Sequence, residues 1–178
     1  MVAGFGLVAF RDPHGFRPLM MGSRRSSSEK VEYAFASESS VLDFLGFEKF
    51  ENVLPGELIC VNLKGEVFRK TIGTQKHRPC MFEWVYFAAP QSEIEGSPVY
   101  KARIALGKKM AVTVRERMQK DNIQFDVVAP VPETARTAAI ALAEELGVPY
   151  REVLIKNRYI TRTFILDTQD KRDQAVQL

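Results

Sequence analysis

The order of apolar and polar positions changes character once along this 178-residue chain. In the first seventy-odd residues the apolar positions come in short runs cut by glycine and proline. GLVAF (6–10) is such a run, and Arg11-Asp12-Pro13 ends it as a turn signal. PLMMGSR (18–24) reads as a strand able to pair back against it. EYAFAS (32–37) alternates as a half-buried strand should. Ser39 or Ser40 can cap a short helix over VLDFLGF (41–47). Residues 52–72 hold two strands around Lys64-Gly65, a weaker form of the hairpin dipeptide. No fixed-period repeat is present.

The polar segment TQKHRP (74–79) marks a boundary, and after it the periods lengthen. MFEWVYFA (81–88) has the aromatic and β-branched content of a strand. Residues 99–120 form an amphipathic helix with Val99, Ile104, Met110, Val114 and Met118 near one face. FDVVA (125–129) reads as a strand stopped by Pro130 and Pro132. A helix over 133–146 follows, with Gly147 as its stop and VPY opening another strand. Strand, helix and strand at this spacing make a βαβ unit of a parallel sheet. The remainder, from Lys156 on, is basic and then mixed, with no clear period. It reads as a mobile functional loop or a frayed end.

Composition narrows the function. Apolar residues make up 46% and charged residues 26%, with a net charge of +3. This is a globular balance without the basic stripe of a nucleic-acid binder. Two cysteines, Cys60 and Cys80, make no disulfide framework. With only His14 and His77 beside them, no zinc site is expected. No run approaches a membrane span and the start lacks a basic leader, so the expectation is a soluble cytoplasmic protein without membrane partners.

The chemistry-bearing position is the junction VVAPVPET (127–134). Ligands of parallel α/β sheets sit beyond the carboxyl ends of the strands. Thr134 falls at the N-cap or first turn of the next helix, where free amides and partial positive charge suit a phosphate. Its hydroxyl can also reach a phosphate-bound magnesium. The plainer reading is that Thr134 caps the helix and Glu133 favours its first turn, and the pattern alone favours this one.

A resemblance sharpens the choice. RDPHGFRPLMMG (11–22), FASESSVLDFLGF (35–47), VLPGELICV (53–61), PCMFEWVYFAAPQS (79–92), VVAPVPET (127–134) and KNRYITRTFI (156–165) occur in this order. Together they resemble the amidophosphoribosyltransferases over essentially the whole chain. The resemblance implies a mixed α+β and α/β architecture. Residues 1–75 would be the C-terminal part of an N-terminal-nucleophile glutaminase domain. Residues 76–178 would begin a phosphoribosyltransferase parallel α/β domain. It implies glutamine and phosphoribosyl pyrophosphate as substrates and Mg2+ as the ion that accompanies the latter. Thr134 matches the hydroxyl ligand of that magnesium. Lys156, Arg158 and Arg162 lie in the loop that folds over the substrate, where they would face the pyrophosphate.

The departures matter as well. Thr161 stands where the family usually has glycine. Ala89 and Gln91 replace an arginine and an aspartate, and the salt link those would make is lost. Cys80 matches a cluster ligand of one branch, but an iron–sulfur cluster needs four cysteines and none is expected here. The chain begins Met1-Val2 rather than with a nucleophilic cysteine, and no Asp-Asp pair for the ribose phosphate occurs. The expectation is a segment of the enzyme that is inactive alone and, with open sheet edges, self-associating into a homo-oligomer. The alternative is a non-catalytic nucleotide- or subunit-binding module of the same fold. A different phosphoribosyltransferase-like enzyme is disfavoured by the missing aspartate pair.

Overall fold

The computed structural model describes residues 1–157, 159 and 163–177. The chain forms two compact units, Met1–Leu106 and Gly107–Leu178. In the first, β1 (Gly6–Phe10), β5 (Glu57–Asn62) and β6 (Val67–Thr71) form one antiparallel sheet in the order β1-β5-β6. A second antiparallel sheet has β2 (Met20–Arg25) between β3 (Val31–Ala36) and β4 (Lys49–Asn52). The expected pairing of β2 back onto β1 does not occur; Val8 instead faces Cys60, and Met21 faces Phe35. The intervening segment is no tight turn. It carries the chain from one sheet to the other around the buried Arg11.

Successive residues of a strand point to opposite faces, and β2 shows what this builds. Met20 packs with Leu42 and Phe47, while Met21 packs with Val53 and Ile59. Helix α1 (Ser39–Phe44) therefore covers one face of the second sheet and the β1-β5-β6 sheet covers the other. The cap of α1 is Glu38, not Ser39 or Ser40. The Glu38 side chain is engaged elsewhere, as described below. Two short strands, β7 (Glu93–Ile94) and β8 (Ser97–Pro98), make a hairpin before helix α2 (Val99–Asp121).

Residues 81–88 are not a strand. Glu83–Phe87 is a π-helical turn in which the Ala88 amide donates to the Glu83 carbonyl at 3.0 Å. The inward residues are Glu83, Trp84 and Ala88, a helical spacing, while Phe82, Tyr86 and Phe87 lie exposed. β-Propensity reflects fit to a pleated, half-buried surface, and no strand is available to provide one here.

In the second unit, the end of α2 packs on α3 (Arg136–Leu146). A Cβ placed on Gly107 would lie 2.2 Å from the Ala138 carbonyl oxygen, so the glycine is what permits this approach. Gly147 ends α3 in the left-handed conformation with φ 71°. The expected strand at 125–129 reduces to a single parallel bridge, Val128 to Tyr150. Its bonds run from the Val128 amide to the Pro149 carbonyl at 2.9 Å and from the Arg151 amide to the Val128 carbonyl at 3.0 Å. Parallel ladders persist when covered on both faces, and most of 125–129 is exposed. The direction of the βαβ unit is as read from the pattern, but its sheet is not extended among the described residues. A 3-10 turn (Thr163–Ile165) and α4 (Gln169–Gln177) follow.

Buried stripes explain one more difference. The inward line of α2 runs Val99, Arg103, Gly107 and Ala111, and Met110 is 46% exposed. Small residues and a satisfied arginine, not the largest apolar ones, face inward. None of the described helices is long and apolar enough to cross a membrane.

Candidate functional site

The mouth of α3 is built from the turn 130–135. Pro130 and Pro132 fix the exit, and the Pro132–Glu133 peptide is cis. Helix α3 starts at Arg136 with Ala135 as its cap and no side-chain cap bond. Thr134 thus stands in the turn before the helix, and the capping reading of its side chain does not hold. Half-buried, its hydroxyl makes no hydrogen bond among the described residues. The Arg136 amide donates to the Glu133 carbonyl at 3.3 Å, so the open amides are those that follow it. An uncommitted hydroxyl in the turn before a helix start without a side-chain cap is an arrangement that can receive an anion and its counter-ion.

Around it the charged groups are tied together. Arg136 Nη1 lies 2.8 Å from Glu133 Oε2, and Arg136 Nε lies 3.2 Å from Glu152 Oε1. The Tyr150 hydroxyl donates to Glu152 Oε1 at 3.0 Å. Partial burial, helped by that bond, holds the Tyr150 phenol above its ordinary value. The sequence reading missed Arg136. The signal available was the Glu133-Arg136 spacing of three, which places both on one side of a helical turn. Lys156 is exposed and unpaired among the described residues, six residues beyond the bridge at Tyr150. Arg158 and Arg162 lie outside the described residues, as does Thr161.

The first unit carries a second polar assembly. Arg11 donates to the carbonyls of Arg17, Val53 and Gly15, each at 2.9 Å, and pairs with Glu95 at 2.5 Å. The Asp12 carboxylate accepts the His14 and Phe16 amides. The chain at 75–80 lies along this loop. The Gln75, Arg78 and Cys80 amides donate to the Pro13, His14 and Phe16 carbonyls. Glu38 accepts the Ala89 amide and the Ser92 hydroxyl, both at 2.7 Å. Arg103 donates to the carbonyls of Trp84 and Ala88, and burial lowers its pKa. Glu83 pairs with Arg17 at 2.9 Å, yet burial raises its pKa despite that partner.

This assembly is structural in form. Its charges are committed to backbone groups and to one another, and the recess lined by Arg11, Phe16, Cys80, Glu83 and Glu95 has essentially no room for even a water-sized molecule. Ligand pockets run to roughly 300 Å³ and more. His14 is likewise held, with Nδ1 3.1 Å from the Lys76 carbonyl. Cys60 and Cys80 are half-buried free thiols. Cys60 is not in the core; it faces away from Ile59 on the outer side of β5. No cluster of three or more His, Cys, Asp or Glu able to hold a metal occurs among the described residues.

Comparison with known proteins adds the wider setting. No family profile matches the chain. It is 45% identical to the amidophosphoribosyltransferase of Pseudomonas aeruginosa, 43% to that of Escherichia coli and 42% to that of Saccharomyces cerevisiae. Each match covers 99% of this chain and 35% of the relative. Its fold is similar to that of a glutamine phosphoribosylpyrophosphate amidotransferase from B. subtilis complexed with ADP and GMP. The TM-score is 0.71 at 36% identity, over 96% of this chain and 35% of that one. By sequence and by fold, the chain is similar over nearly its whole length to the amidophosphoribosyltransferases, and it spans about a third of the length of the relatives it matches.

Proposed function

We propose that this chain works as part of a cytoplasmic amidophosphoribosyltransferase. The enzyme releases ammonia from glutamine and transfers it to phosphoribosyl pyrophosphate, displacing pyrophosphate and giving 5-phosphoribosylamine for purine synthesis. Residues 1–75 belong to the glutamine-hydrolysing domain and 76–178 to the transferase domain. The observation that carries this reading is the free hydroxyl of Thr134 at the uncapped start of α3, in a chain 45% identical to that enzyme over 99% of its length.

The residues present fit a magnesium ion in a limited way. Mg2+ is held through one or two protein oxygens together with substrate phosphates, rather than by an all-protein cage. Thr134 would supply one such oxygen. When bound, the ion would neutralise charge on the leaving pyrophosphate. The chain's own residues do the rest. Thr134 and the α3 amides orient the pyrophosphate. Lys156, Arg158 and Arg162 supply positive charge for the departing pyrophosphate.

The test is titration of magnesium phosphoribosyl pyrophosphate into the protein as its source makes it. Thr134→Val is expected to weaken binding at least about tenfold, because a metal-directed oxygen is lost. Thr134→Ser is expected to keep it, and neither change should move the melting temperature, since the hydroxyl has no described partner. Equal binding by wild type and Thr134→Val would sink the assignment.

A further inference from the structure

We propose that Arg136 is a positioning residue for the pyrophosphate end of this site, resting on the functional reading above. Its role is to tie together the two chain exits that carry Thr134 and Lys156, and to neutralise the carboxylates of Glu133 and Glu152. The bridge between Val128 and Tyr150 is parallel, so the chain leaves both residues in the same direction. Thr134 is six residues beyond the first and Lys156 six residues beyond the second. The two exits therefore emerge at the same end of the bridge.

Arg136 joins them. Nη1 pairs with Glu133 in the first exit at 2.8 Å; in the second exit Nη2 donates to Glu152 Oε2 at 3.4 Å, while Nε lies 3.2 Å from Oε1 as an ion contact without a hydrogen bond. Tyr150, the bridge residue itself, donates to Glu152 Oε1. A planar guanidinium can engage two carboxylates at once, which the point charge of a lysine cannot do equally well.

Stability is not the reason for such a network. Glu133 and Glu152 are each 46% exposed, and exposed ion pairs contribute little to folding. Charge gives a better reason. A pyrophosphate arriving at the start of α3 carries several negative charges, and Glu133 and Glu152 would repel it. The helix terminus offers only about half a positive charge against them. Arg136, shared between the two carboxylates, removes that repulsion and holds the exits in register.

Isothermal titration of inorganic pyrophosphate with magnesium, again into the protein as its source makes it, tests this directly. Arg136→Met is expected to bind about five- to tenfold more weakly than wild type, with the deficit shrinking as salt is raised. Replacing both Glu133 and Glu152 by Gln in that background is expected to restore most of the affinity. Arg136→Lys should fall between wild type and Arg136→Met, and melting temperatures are followed alongside. Unchanged affinity in Arg136→Met overturns the proposal, and so does failure of the double Gln change to restore binding, since a purely structural arginine would not be rescued by it. Absence of binding by wild type would overturn the functional reading itself, and this inference with it.

Discussion

Buried charge is the main residue-scale feature of the first unit. Arg11 and Arg103 are each 3% exposed, and both are satisfied by carbonyl oxygens. Their placement follows from chain crossings that composition does not reveal, so neither was legible beforehand as a buried group. Glu83 is different, because burial outweighs its partner Arg17 and its pKa rises. The sign follows directly. A carboxyl whose folded value is raised favours the fold while protonated. Its contribution is full below the ordinary value of 4.5 and is lost as pH rises through the higher folded value. Glu83→Gln should remove this dependence. Urea midpoints measured from about pH 4 to pH 7 are expected to show wild type losing stability relative to the variant as pH increases. Parallel pH profiles for the two proteins would refute it. At this scale Thr134 was legible as a candidate from its motif, whereas the pairing of Arg136 needed the fold. Its second partner, Glu152, is sixteen residues away.

Elements were legible where one period governed them. The strand GLVAF, the hairpin around Lys64-Gly65 and the long helix α2 lie where the pattern put them. Residues 81–88 were misread because aromatic content suits either a strand or a turn of helix, and packing of Trp84 against Ala88, Ile94 and Val99 chose the latter. The contact of α2 with α3 also rests on one small residue. Gly107→Ala improves helix propensity by up to about 1 kcal/mol. Against this, the new methyl would meet the Ala138 carbonyl at 2.2 Å, a backbone atom that cannot rotate away. Overpacking of this kind costs about 1–3 kcal/mol, so the variant should be net destabilised. Chemical denaturation would show it as a lower midpoint, and a gain in stability would mean that the helices do not approach this closely.

At the scale of the molecule, apolar surface is left uncovered. Phe10 and Phe68 are 62% and 56% exposed, with Phe10 beside Leu58 and Phe68 beside Cys60 on the outer face of β1-β5-β6. Phe82, Tyr86 and Phe87 form a second exposed group, in edge-to-face and tilted contact with one another. Patches of this kind favour association, as do the open edges of both sheets. The isolated chain is expected to sediment as concentration-dependent oligomers, and a single monomer boundary at high concentration would contradict this. The sequence by itself determined the mixed fold class, most elements of single period and the resemblance to the amidophosphoribosyltransferases. These depend on local patterns and on motifs contiguous in the chain. Only the tertiary structure decided which strands share a sheet, that 81–88 coils, that Glu38 caps α1 with its side chain turned to Ala89 and Ser92, and that Arg136 links two exits. Each of those depends on groups far apart in sequence, and burial and partner geometry, not propensity, set their free energies.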